Sequence, residues 1–179
     1  MSQGKWYMAI SIVSFSLMHL CVKFIPNVPV HQIITFRSLF SILLTIWVLK
    51  QKRIHPFGNR YGLLVLRGLV GVGSLFAFFY AIKLLPLATA ITISNLIPIF
   101  ILIFAAVFLK ESIRPIQWLL FVFILAGVFL IKGFDYRVSM IGIVVALAGS
   151  FFAAMAHFLV RYLRTTENTW VIIFYFPFV

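Results

Sequence analysis

Hydrophobic positions in this chain fall in long unbroken runs, and polar positions fall in short clusters between them. Trp6 to Ile25, Val30 to Leu49, Leu63 to Leu85, Ala88 to Leu109, Ile116 to Ile131 and Val138 to Val160 are each predominantly apolar, and a seventh run opens at Trp170. A helix needs about 20 mostly apolar residues to cross the hydrocarbon core of a bilayer, so six spanning helices and the start of a seventh are predicted. The runs are continuous, which excludes the alternating segments of a membrane β-barrel. The expected fold class is all-α, a polytopic membrane helix bundle. No small-x-small site follows the first run, which argues against a cleaved secretory signal.

Composition agrees, with 64% hydrophobic and 10% charged residues against about 45–50% apolar residues in a soluble domain. A net charge of +12 would suggest nucleic acid in a soluble protein, but its distribution says otherwise. Lys50, Lys52, Arg53, Arg60 and Arg67 gather around the second connection, Lys110 and Arg114 in the fourth, Arg161 and Arg164 in the sixth, and Lys5 precedes the first run. All of these fall on one side of a bilayer. The other side carries Lys83, with Lys132 and Arg137 partly offset by Asp135. Short loops rich in Lys and Arg stay cytoplasmic, so a multi-pass protein of the plasma (inner) membrane with a cytoplasmic amino terminus is expected, without a nucleic-acid partner.

Several chemistries have no foothold. Cys21 is the single cysteine, so neither an internal disulfide nor a cysteine metal cluster can form. There is no His-Glu-x-x-His and no phosphate-binding loop; the glycines of "RGLVGVG" from Arg67 lie in an apolar run and read as packing. Of the three acids, Asp135 and Glu167 fall in loops, and Glu111 ends the fourth span, where pairing with Arg114 gives it a structural role. Paired-carboxylate catalysis is unsupported. No enzymatic activity, cofactor or metal is expected.

The chain also repeats itself. "HLCVKFI" from His19 returns as "HFLVRYL" from His157, and without gaps the same register pairs Lys23 with Arg161, Ile34 with Ile172 and Phe36 with Phe174. Five spans separate the copies, so they cross the bilayer in opposite directions, as in the inverted repeats of secondary transporters. The predicted organisation is a five-helix repeat over 4–132 and an incomplete second repeat over 139–179. A full second copy would run to about residue 270 in the same register. Two readings follow: a truncated transporter, or a short protein that pairs with a second copy as a homodimer. A non-transporting remnant or small membrane scaffold is the alternative function.

The residues from Leu84 to Ile131 carry a family resemblance. "LPLA", the Asn95-x-x-Pro98 helix, Glu111 after the fourth span, Gln117 and the "AGVFLI" span resemble the EamA-type pattern of the drug/metabolite transporter superfamily, as do "FSLMHLCVKFI" and "FRSLF" near the amino terminus. The chain is similar to members that resemble S-adenosylmethionine and riboflavin uptake proteins. That resemblance implies ten spans in two five-helix repeats and transport of a small metabolite by alternating access.

Candidate site residues are the polar groups inside spans, each costly in lipid and each in need of a partner or a watery cavity. Counted from the outer span ends at about 1.5 Å per residue, Arg37 and Asn95 lie about 10 Å deep, His19 about 9 Å and Tyr80 about 8 Å. A guanidinium offers a planar fork of donors to a carboxylate or phosphate. Together with the amide of Asn95 and the ring of Tyr80, it implies an anionic or zwitterionic solute. The alternative is that Arg37 snorkels to the interface and Tyr80 belongs to the aromatic belt. His19 and His157 are candidates for proton linkage, or match merely through the repeat. Pro98 predicts a kink in the fourth span. Gly73, Ala77 and Ala81, and Gly142, Ala146, Ser150 and Ala154, recur every fourth residue and predict close helix contacts.

Overall fold

The computed structural model describes residues 2–25, 27–109 and 139–179, with scattered positions between 115 and 130. Seven helices are described: α1 (Ser2–Phe24), α2 (Val30–Gln51), α3 (Tyr61–Leu84), α4 (Leu87–Ser94), α5 (Ile97–Leu109), α6 (Met140–Leu163) and α7 (Thr169–Phe178). At 22 to 24 residues, α2, α3 and α6 reach about 33–36 Å, enough to cross a hydrocarbon core of about 30 Å. Half of the predicted fifth span, Ile116 to Ile131, falls outside the described residues, as do Glu111 and Asp135.

The fourth predicted span is two helices. Asn95 and Leu96 interrupt it between α4 and α5, three residues before Pro98, whose ring cannot accommodate the carbonyl four residues back. The Ile93 carbonyl would take the Ile97 N–H in an unbroken helix. It accepts instead from Leu96 N at 3.0 Å and from the Ser150 hydroxyl of α6 at 3.2 Å. A serine from a neighbouring helix thus satisfies the broken backbone within the membrane.

The most extensive helix contact is that of α3 with α6, and α6 also packs on α4 and α5. Its small residues make this possible: Gly142, Ala146, Ser150 and Ala154 are all buried, and a Cβ on Gly149 would come within 3.1 Å of Ala77 Cβ and 3.3 Å of Phe78 N. On α3 the buried Gly68 and Gly71 serve a different neighbour, lying against Tyr175, Phe176 and Val179 at the carboxyl end of α7, and Gly73 faces open space.

Two apolar clusters form the core. One gathers Val22, Ile34, Phe79, Ile82, Leu85 and Ile93 near one end of the bundle. The other gathers Leu49, Leu64, Leu163, Ile172 and Phe174 near the opposite end. On α2, α3 and α6, the residues between these two clusters line a cavity.

Candidate functional site

The cavity has a volume of about 320 Å³. Its lining includes Phe15 and His19 from α1, Arg37 from α2, Arg67, Gly71 and Ser74 from α3, Ser150 and His157 from α6, and Phe176 from α7. On α3 the spacing explains the shared face, because Arg67, Gly71 and Ser74 stand four and three residues apart and project on one side of a helix.

Arg67 corrects a sequence expectation. It does not belong to the second connection with Lys50 to Arg60; it lies inside α3, about 9 Å from the helix start. Its guanidinium carbon stands 4.7 Å from the centroid of the Phe176 ring, and that of Arg37 stands 5.9 Å from the same ring. Gly71 makes the arrangement possible, since a Cβ there would come within 2.7 Å of the Phe176 ring and 3.6 Å of Arg67 Nη1.

Three donor atoms at this ring, Arg37 Nη1, Arg67 Nε and Arg67 Nη1, are buried without a hydrogen-bond acceptor. An unsatisfied buried polar group is costly, and a charged one more so. Among the described residues the acid is Glu167, and it is engaged elsewhere, its Oε1 accepting from Asn59 N at 2.7 Å and Arg60 N at 2.8 Å. The cavity therefore holds an excess of positive charge whose natural complement is an anion. Ser74 donates its hydroxyl proton to the Gly71 carbonyl at 2.7 Å, and Ser150 shares its own between the carbonyls of Ala146, at 2.8 Å, and Ile93, at 3.2 Å, which leaves both oxygens as acceptors.

The other sequence-predicted residues separate. His19 joins Arg37 in the lining and lies edge-on to Phe78, with ring centroids 5.0 Å apart, and His157 faces the cavity from α6. Tyr80, 51% exposed, and Asn95, at the exposed break after α4, lie outside this lining. Common depth did not bring them to Arg37. Sequence reasoning missed Arg67 and Phe176: the first because it follows a basic cluster, the second because nothing distinguishes it among the neighbouring aromatics.

An all-α membrane bundle around a cationic cavity is the class that fold and site define. Residues 2–133 match the EamA-like transporter family, and the chain belongs to that family. It is 33% identical over 178 residues to the pseudopaline exporter CntI of Pseudomonas aeruginosa, an alignment covering 98% of this chain and 63% of that protein. To human solute carrier family 35 member G1 it is 36% identical over 131 residues, 72% of this chain and 36% of the carrier. The chain thus spans less than two thirds of the length of these curated relatives. No solved structure matches it.

Proposed function

We propose that the chain provides the solute cavity of a membrane transporter that moves a small anionic or zwitterionic metabolite by alternating access between inverted repeats, 4–132 and 139 onward. The observation that carries this reading is the pair of guanidiniums at Phe176, with three buried donor atoms lacking acceptors. A carboxylate or phosphate satisfies such donors two at a time, and the Phe176 face holds the forks in place. Names of relatives support the transport class: one is an exporter and another a solute carrier.

In this reading Arg37 and Arg67 bind the anionic group, and Phe15, Leu75, Phe78 and Ile97 surround the apolar remainder of the solute. His19 and His157 are the imidazoles of the lining, and in this reading they are the described residues through which a proton linkage would run. The apolar clusters on either side of the cavity are the layers that part in turn when one side opens. Tyr80 and Asn95 are left out of the site. The charge asymmetry described above supports a cytoplasmic amino terminus in the plasma (inner) membrane.

The test is equilibrium binding to the purified chain in phosphatidylcholine nanodiscs, read by thermal unfolding against a panel of small carboxylates, phosphate esters and quaternary ammonium compounds. Stabilisation by members of the anionic set alone, lost in Arg67→Gln, is expected. Stabilisation by the cations, or an anion effect unchanged in Arg67→Gln, overturns the reading.

A further inference from the structure

A second concavity opens at the end of the bundle that carries Gln51, Tyr61 and Leu163. It is a groove of about 530 Å³ between α2 and α7, with Ile46, Leu49 and Phe174 as apolar walls and Lys50, Arg53 and His55 on its rim. Three observations bear on its occupant.

The first is depth. Lys52 Nζ lies 4.8 Å over the Trp170 ring, and tryptophan favours the level of lipid headgroups. Phe174 stands one helical turn beyond Trp170 along α7, toward the hydrocarbon. The rim cations therefore lie at headgroup level and the apolar walls at acyl-chain level.

The second is backbone geometry. Helix α2 closes with Ile54 N donating to Leu49 O at 3.0 Å and Arg53 N donating to Lys50 O at 3.2 Å, the paired bonds of a Schellman motif. Its left-handed position, where glycine is usual, is taken by Arg53 at φ 52°. An arginine kept in a conformation that favours glycine is an outlier that points to use of its side chain.

The third is charge. No acid lines the groove among the described residues, so its mouth is cationic over an apolar floor. That combination matches one amphiphile of the surrounding membrane, and basic pockets at helix ends recognise such headgroups.

We propose that this groove binds an anionic phospholipid of the adjoining leaflet, with its phosphate among Lys50, Arg53 and His55 and an acyl chain along Ile46, Leu49 and Phe174. The site is separate from the solute cavity, and its test does not depend on transport.

The experiment is native mass spectrometry of the delipidated 179-residue chain offered equal amounts of phosphatidylglycerol and phosphatidylcholine with identical acyl chains. A preference for phosphatidylglycerol of about fivefold or more is expected, the effect of one basic residue near a charged headgroup. Arg53→Gly is the informative variant because glycine suits the backbone there. The lipid preference should fall toward unity while the melting temperature holds or rises, and Lys50→Gln should lower the preference as well. Equal retention of both lipids by the unchanged chain overturns the proposal, as does an undiminished preference in both variants. Displacement of the lipid by inorganic phosphate would make this a free-anion site, and a lipid-free dimer burying the groove would assign it to a second copy; either result overturns the proposal too.

Discussion

Arg37 of α2 and Arg67 of α3 direct their guanidiniums at one phenyl ring, with Cζ atoms 5.9 and 4.7 Å from the centroid of Phe176. Two like charges brought together away from water repel each other, and the described residues place no carboxylate between them. A ring face offsets part of that cost, about 0.5–2 kcal/mol for each cation. An arriving anion would offset more, because it satisfies buried donors and neutralises charge together. The cost of the empty site and the affinity for an anion are two aspects of one arrangement.

The seating of Phe176 provides the first prediction. Gly71→Ala would place a methyl within 2.7 Å of the ring, whereas Gly73→Ala meets nothing within 4 Å. The first substitution should displace Phe176 and weaken binding of a stabilising anion by about tenfold or more, the loss of roughly one charge-assisted hydrogen bond. The second should leave affinity unchanged. Isothermal titration of both variants in nanodiscs decides this, and equal affinities would separate Phe176 from the site.

Both ends of α3 are held by charges of the sign that suits its dipole. Glu167 accepts from Asn59 N and Arg60 N at the start, and Lys23 Nζ donates to Ile82 O and Leu85 O at the finish, each at 2.7 Å. Lys23→Met leaves two carbonyls without that donor and should cost about 1–3 kcal/mol, with Lys23→Arg retaining part. Glu167→Ala, at a half-buried position, should cost about 1 kcal/mol or less, and Glu167→Gln still less because an acceptor oxygen remains. Thermal unfolding of the four variants tests the order; a larger loss in Glu167→Ala than in Lys23→Met contradicts it.

Orientation is checked by thiol labelling in a Cys21→Ser background, since Cys21 is exposed. Cysteine at Asn27 should react with an impermeant reagent in intact cells, and cysteine at Lys52 only after permeabilisation. The reverse pattern inverts the assignment of sides.

The bundle was legible because twenty apolar residues in succession admit few alternatives in water or lipid, and the interruption at Asn95 was legible through Pro98. The site was legible only in part. Counting residues yields depth along a helix but not direction around it. Tyr80 shares α3 with Arg67, yet thirteen residues at about 100° each turn it about 220° away, onto the exposed surface. Arg67 had a signal of its own, a charged residue followed at four and seven positions by Gly71 and Ser74 on the same face. Phe176 had none, since its role arises where α7 meets α2 and α3.

The most direct test of the central claim is the electrostatic potential of the cavity itself, measured without knowing the solute. Ser74 lines the cavity seven residues beyond Arg67, so Ser74→Cys in the Cys21→Ser background places a thiol there. Its reaction rates with 2-sulfonatoethyl and 2-(trimethylammonium)ethyl methanethiosulfonate are compared, the same thiolate serving both, so that its own reactivity cancels in the ratio. At a separation of about 10 Å and an effective dielectric constant of about 20, each guanidinium contributes about 1.7 kcal/mol. Even after screening, the anionic reagent should react at least about tenfold faster relative to its rate with a free thiol, and Arg67→Gln should reduce that preference severalfold. Equal relative rates for the two reagents, or a preference for the cationic one, would contradict an anion-selecting cavity.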